Sequence, residues 1–229
     1  MEWAYGITTV PTRRDTLLVK TIASLAKAGF DCPRLFVDGA ESSLGYERFD
    51  LDVTVRTPSI RTFGNWILGL AELYIRNPSA DRYAMFQDDF VTYPNLREYL
   101  EQAPYPERGY CNLYTFPRNQ TLCNGKVGWY LSDQLGKGAV ALVFSHEAVI
   151  TLLCHEHIVN RPQDAQRGWR AIDGGIVTAF KKAGWKEYVH NPSLVQHTGV
   201  FSSMGNAKQA QAISFRGESY DALKLLSRW

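Results

Sequence analysis

The chain has 229 residues, 45% hydrophobic and 21% charged, an ordinary soluble composition at a length that fits one large domain or two small ones and allows a substantial core. A formal net charge of +2 gives no general electrostatic drive toward nucleic acid or an anionic membrane. No apolar run of about eighteen residues and no signal-peptide pattern is present, and Cys32, Cys111, Cys123 and Cys154 form no paired motif, so the expectation is a cytoplasmic protein with reduced thiols and no membrane span.

Trp3 to Val10 reads as a strand. Thr12 to Asp15 offers turn and capping residues before a helix with Leu17, Leu18, Ile22, Leu25 and Ala26 on one face, closed by Gly29. Arg34 to Val37 is a second strand ending at Asp38-Gly39, and Asp52 to Arg56 a third. Arg61 to Ile75 carries Phe63, Ile67, Leu68, Leu70, Ala71 and Tyr74 at helical spacing, and Asn77-Pro78 stops it.

Residues 82–90, Arg-Tyr-Ala-Met-Phe-Gln-Asp-Asp-Phe, are the most informative stretch: an apolar strand that stops at two adjacent carboxylates. A strand buried on both faces reads as a continuous apolar run, and ligands gather at the carboxyl ends of such strands. Asp88 and Asp89 are therefore expected at a cleft rim. Two carboxylates there need a cation or a positive side chain between them, and oxygen ligands suit Mg²⁺ or Mn²⁺. A solvated turn after an edge strand is the competing reading.

Beyond this point the pattern is less regular. Pro94 to Leu100 is a short helix; Tyr110 to Phe116 and Val127 to Leu131 are strands around a loop rich in Asn and Gly. Gly136-Lys137-Gly138-Ala139 leads into a strand from Val140 to Phe144, and Ser145 caps a helix running to about Cys154. Arg161 to Arg170 is a polar loop, Ile172 to Ala183 a helix closed by Gly184, and Glu187 to His190 a short strand. Strands alternating with helices imply an α/β, Rossmann-like architecture: a mostly parallel central sheet flanked by helices, in a single compact domain over 1–229. Polar residues at the strand ends of 1–103, namely Thr8, Thr9, Asp38, Asp88 and Asp89, are what a nucleotide cleft needs, which makes 1–103 the expected nucleotide-binding half and 104–229 the other half of the domain.

These residues, in this order over roughly 4–206, resemble the nucleotide-sugar-dependent glycosyltransferases of the GT-A fold, of the bacterial or viral type without a membrane anchor. Thr8-Thr9-Val10-Pro11 with Arg13 resembles the first-strand loop that holds base and ribose, and Asp38 the acid after the second strand. Arg61, Gly64 and Asn65 resemble the helix start beside the diphosphate. Gln87-Asp88-Asp89 resembles the Asp-x-Asp element whose last acid binds metal, with Gln in place of the first acid. Gly136 to Ala139, including Lys137 and Gly138, resembles the segment lining the donor sugar. Asp173 in Ile172-Asp173-Gly174 resembles the catalytic carboxylate, and His197 in the Pro-Ser-Leu-Val-Gln-His segment the residue completing the metal shell. The resemblance implies Mn²⁺ or Mg²⁺, a nucleotide-sugar donor (a UDP-sugar first), and an inverting transfer.

The residues leave alternatives open. His197 also reads as a satisfied loop histidine and Asp173 as a helix cap, although Gly174 and Gly175 in a first helical turn suggest close approach of substrate. His155-Glu156-His157 has the wrong spacing for one helical face and reads as structural. Tyr105, Arg108, Tyr110, Arg118, Lys126, Trp129, Tyr130, Lys137, Arg167, Trp169 and Arg170 interleave aromatic and basic groups on the expected acceptor side, which suits a saccharide, a protein side chain, a small metabolite or a hydroxylated base in DNA. A non-catalytic nucleotide- or carbohydrate-binding protein of the same fold is one alternative function. A nucleotidyltransferase is another, although its glycine-rich phosphate loop is missing from Thr9-Val10-Pro11-Thr12-Arg13-Arg14.

Overall fold

The computed structural model describes residues 1–161, 172–198 and 210–228. The strands are β1 (Trp3–Thr9), β2 (Arg34–Asp38), β3 (Val53–Arg56), β4 (Arg82–Gln87), β5 (Phe90–Thr92), β6 (Gly109–Asn112), β7 (Gly128–Leu131), β8 (Ala141–Ser145), β9 (Lys186–Asn191) and β10 (Val195–His197). The helices are α1 (Leu17–Lys27), α2 (Arg61–Arg76), α3 (Leu96–Gln102), α4 (Pro117–Gln120), α5 (His146–Leu153), α6 (Glu156–Val159) and α7 (Ile172–Lys182). The main sheet has eight strands in the order β3-β2-β1-β4-β8-β6-β9-β7. β3, β2, β1 and β4 are mutually parallel, as are β6 and β9, while β8 and β7 run against their neighbours. The sheet is thus mostly parallel, as its strand–helix alternation implies.

Strand side chains alternate between two cores because their period is two. Leu35, Val37, Ala84 and Phe86 face the core under α1 and α3, whereas Phe36, Tyr83 and Met85 face the core under α2, α5 and α7. With both faces covered, β4 shows no polar alternation. Trp66 and Phe86 are fully buried, and truncating either to Ala should cost ~3–5 kcal/mol. Ser145 caps α5, its side chain accepting the Ala148 N–H. No helix among the described residues is long and apolar enough to cross a membrane.

Several expected boundaries move. β6 stops at Asn112 instead of continuing to Phe116, because the Asn112 side chain accepts the Tyr114 N–H and Ser193 accepts the Thr115 N–H, drawing the chain off the sheet. In α2 the buried face is Phe63, Trp66, Leu70 and Leu73, and Leu68 is 48% exposed. β5 pairs antiparallel with β10 in a separate two-stranded sheet. Of the polar loop expected at Arg161 to Arg170, residues 162–170 lie outside the described residues.

Candidate functional site

β1 and β4 run side by side with Thr8 opposite Gln87, so Thr9, the last residue of β1, comes beside Asp88, the first residue past β4. The Thr9 hydroxyl donates to Asp88 Oδ2 at 2.6 Å. The turn after β1, Pro11–Arg13, then brings the Arg13 guanidinium over both acids. Its Nη1 donates to Asp88 Oδ1 at 2.6 Å and to Asp89 Oδ2 at 2.9 Å. Asp88 and Asp89 are 2% and 1% exposed. The positive group that a buried acid pair requires is therefore a side chain of this protein. Burial opposes the Arg13 charge, but the two carboxylates outweigh it and raise its pKa, so the guanidinium stays ionised.

β10 delivers His197. In the β5–β10 register His197 stands opposite Phe90, and the Thr198 N–H donates to the Asp89 carbonyl at 2.8 Å. His197 Nε2 lies 3.8 Å from Asp89 Oδ1. Burial lowers the His197 pKa, against the pull of Asp89, which favours the neutral imidazole. Asp89 and His197 thus present a carboxylate oxygen and an imidazole nitrogen toward each other, a donor pair that fits Mn²⁺ or Mg²⁺ if phosphate and water supply the remaining oxygens. Among the described residues no cluster of three or more His, Cys, Asp or Glu is arranged for a metal.

β8 runs antiparallel to β4 with Ala141 opposite Phe86, so the segment before β8 arrives at the same sheet edge. Gly136 and Gly138 have φ of +65° and +76°, and a Cβ on Gly138 would lie 2.4 Å from the Tyr114 ring. The Tyr114 ring in turn meets His197 edge-on, with centroids 6.0 Å apart. The Gly138 N–H donates to Asp173 Oδ2 at 2.7 Å, tying the first turn of α7 to this loop. Burial raises the Asp173 pKa, opposed by the Gly138 and Ala139 N–H groups. The site so assembled holds an acid pair with its guanidinium, a histidine, a glycine loop and a carboxyl of raised pKa.

The other expected residues divide. Thr8, Val10 and Gln87 are half-buried beside this edge, and Lys137 Nζ sits 4.9 Å over the Phe116 ring. Asp38 accepts hydrogen bonds from the Ser59 hydroxyl at 2.6 Å and the Ile60 N–H at 2.8 Å, pinning the approach to α2. Asn65 donates to the Phe36 carbonyl and accepts from Arg56 Nε, strapping α2 to β2 and β3. Arg61, at the start of α2, is exposed.

On the expected acceptor side, two tyrosines prove to belong to the framework. The Tyr105 hydroxyl donates to the Gly109 carbonyl and accepts the Ser145 N–H, and Tyr110 is stacked between Phe144 and Phe180. Trp129 packs edge-on against His190. Arg118 and Lys126 are exposed, whereas Arg167, Trp169 and Arg170 lie outside the described residues. Sequence reasoning missed Glu187, which is 2% exposed and accepts from the Tyr110 hydroxyl and the Asn112 amide. The Asn112 amide also reaches the Lys137 carbonyl, so Glu187 buttresses the glycine loop from behind. A charged residue inside a short strand was the available signal.

No protein-family model and no curated protein matches the chain. Among solved structures, GalNAc-T7 with UDP, GalNAc and Mn²⁺ is similar over 86% of this chain, with 10% identity and a TM-score of 0.57, and this chain spans 43% of that one. A nucleoside-diphosphate-sugar pyrophosphorylase from Vibrio cholerae is similar over 86% of this chain and 95% of that one, with 11% identity and a TM-score of 0.48. A mannose-1-phosphate geranyltransferase from Thermus thermophilus is similar over 83% of this chain and 74% of that one, with 14% identity and a TM-score of 0.46. The two lower scores carry no weight; the likeness to GalNAc-T7 shows that this chain has a GT-A-like fold.

Proposed function

We propose that the protein is a metal-dependent glycosyltransferase that moves a sugar from a nucleotide diphosphate sugar, a UDP-sugar first, to an acceptor hydroxyl with inversion, in the cytoplasm. One observation carries this reading: Asp89 with His197, and Asp173 with Gly138, converge from four separate elements on one sheet edge. A donor bound there is held by both halves of the chain, 1–103 and 104–229.

In this mechanism Thr8, Thr9 and Val10 border the nucleoside, with Asp38 and Asn65 serving indirectly by fixing the start of α2, where Arg61 meets phosphate. Asp89 and His197 would hold the divalent ion, whose charge would neutralise that of the diphosphate leaving group. Arg13 offers further positive charge to the same phosphates, and Gln87 and Asp88 border it. Lys137 and Gly138 border the sugar. Asp173 accepts the proton of the acceptor hydroxyl as its oxygen bonds to the anomeric carbon. The anomeric carbon–phosphate oxygen bond breaks and the electron pair leaves with the nucleoside diphosphate. The acceptor is a saccharide or a hydroxylated base in DNA.

The test is product analysis with UDP-, GDP-, dTDP- and CMP-sugars, with and without Mn²⁺. Release of nucleoside diphosphate supports the proposal. Pyrophosphate consumption or release would make the protein a nucleotidyltransferase, and nucleotide-induced stabilisation without any product would make it a binding protein.

A further inference from the structure

We propose that Arg13 is a built-in counter-cation that competes with the divalent ion for Asp89, so that metal and donor diphosphate bind cooperatively, each weakly without the other. This inference rests on the reading of Asp89 and His197 as metal ligands.

The geometry is asymmetric. Asp88 is engaged at both oxygens, by the Thr9 hydroxyl and by Arg13. Asp89 is divided, with Oδ2 toward Arg13 at 2.9 Å and Oδ1 toward His197 at 3.8 Å. A divalent ion on Asp89 therefore arrives beside a guanidinium already bound to the same carboxylate. Like charges this close in a site of low dielectric repel, so the bare ion binds against Arg13. The acid pair in turn is too buried to stand without a cation, and Arg13 supplies it.

Donor phosphate removes the conflict. A guanidinium carries five N–H donors in a planar fork. Among the described residues only Nη1 of Arg13 hydrogen-bonds. Nε and Nη2 therefore remain to bind phosphate oxygens, and Arg13 lies on the short turn after β1 with its side chain 14% exposed, at the site surface. A diphosphate drawing the guanidinium away from Asp89 removes its competition with the ion for that carboxylate and screens the two cations from each other. By linkage, the ion must then improve diphosphate affinity by the same factor.

The experiment is calorimetric titration of the whole chain with MnCl₂ alone, UDP alone, and each in the presence of the other, for the parent and for Arg13→Gln, Arg13→Lys and Asp89→Ala. In the parent, UDP should tighten Mn²⁺ binding within the usual span of about 5–150-fold for coupled sites. Arg13→Gln should bind Mn²⁺ alone at least about fivefold tighter than the parent, bind UDP alone more weakly, and lose most of the coupling. Arg13→Lys, which keeps the charge, should keep the parental order. If Arg13→Gln is too unstable to titrate, its melting temperature should rise with Mn²⁺ alone far more than that of the parent. Unchanged or weaker Mn²⁺ binding by Arg13→Gln, or no such rise, overturns the proposal while leaving the metal site intact. A parent that binds no Mn²⁺ at any UDP concentration, indistinguishable from Asp89→Ala, overturns the metal reading and this inference together.

Discussion

The Asp173 carboxylate accepts the backbone N–H of Gly138 at 2.7 Å, joining the first turn of α7 to the loop before β8. One carboxyl oxygen is thereby fixed and oriented on a backbone group whose φ of +76° suits glycine.

Asp173→Asn replaces the carboxylate with an amide. The amide keeps the side chain's size but cannot accept the acceptor's proton, so turnover should fall by ~10²–10⁴ while donor affinity stays within a few fold. Burial raises the Asp173 pKa, and only the ionised form is a base, so parental turnover should rise with pH through a limb above the ordinary carboxylate range. Single-turnover rates against pH decide this; a variant with near-parental turnover would leave Asp173 a structural group.

Gly138→Ala tests the loop. The added Cβ meets the Tyr114 ring at 2.4 Å, and the left-handed φ alone costs roughly 1–2 kcal/mol for a residue with a side chain. Tyr114 also touches His197, so the strain reaches the proposed metal ligands. The variant should melt lower and bind donor more weakly than Asp173→Asn does. Parental melting and donor binding would show that the loop yields freely.

Asp89→Ala should abolish the Mn²⁺-dependent part of nucleotide stabilisation. A ligand that binds only the folded state contributes about 2.7 kcal/mol at a hundredfold excess over Kd. Thermal melts with UDP, with and without Mn²⁺, measure the difference. A variant responding like the parent removes Asp89 from the metal shell.

These residues differ in how legible they were. Asp88 and Asp89 stood out because β4, covered on both faces, is a continuous apolar run that ends abruptly at charge. The need for a positive group between them was also readable, but its identity was not, since Arg13 lies 75 residues from Asp88 and no periodicity links a turn to a distant strand end. His197 reaches Asp89 through β5 and β10, each of three residues, too short for a period-two pattern. Tyr105 and Tyr110 looked like surface aromatics because their buried hydroxyls find partners only in the tertiary fold.

His190 should set part of the acid stability. It is fully buried between the Tyr99 hydroxyl and the Pro192 carbonyl, each 2.6 Å from a ring nitrogen, an arrangement that suits the neutral ring donating from Nδ1. Burial lowers its pKa from 6.5 to about 4. The unfolded chain then takes up the proton first as pH falls, so stability is intact above pH 6.5 and declines toward pH 4, by up to roughly 3 kcal/mol. Denaturant melts of the parent and His190→Asn across that window should show a shallower pH slope in the variant, although the variant is less stable at neutral pH. Equal slopes would assign the acid lability to other groups.

The acceptor is distinguished by salt. A polyanion contacting four basic groups would give a log-log affinity slope of about −3.6, because each neutralised phosphate releases counterions worth about −0.9. Among the described basic residues on the expected acceptor side, Arg118 pairs with Asp133 at 3.4 Å and Lys137 lies over Phe116, while Arg108 and Lys126 are exposed without an ion pair, fewer than the four contacts such a slope requires. The chain's net charge of +2 adds no general attraction. The expected result is a nearly flat salt dependence, favouring a neutral saccharide acceptor. Binding of duplex and single-stranded DNA, with and without 5-hydroxymethyl bases, measured from low to moderate salt, checks it. Tight, steeply salt-sensitive binding that weakens in Arg167→Ala and Arg170→Ala would instead favour a hydroxylated base, since those residues closely precede Asp173 in the chain.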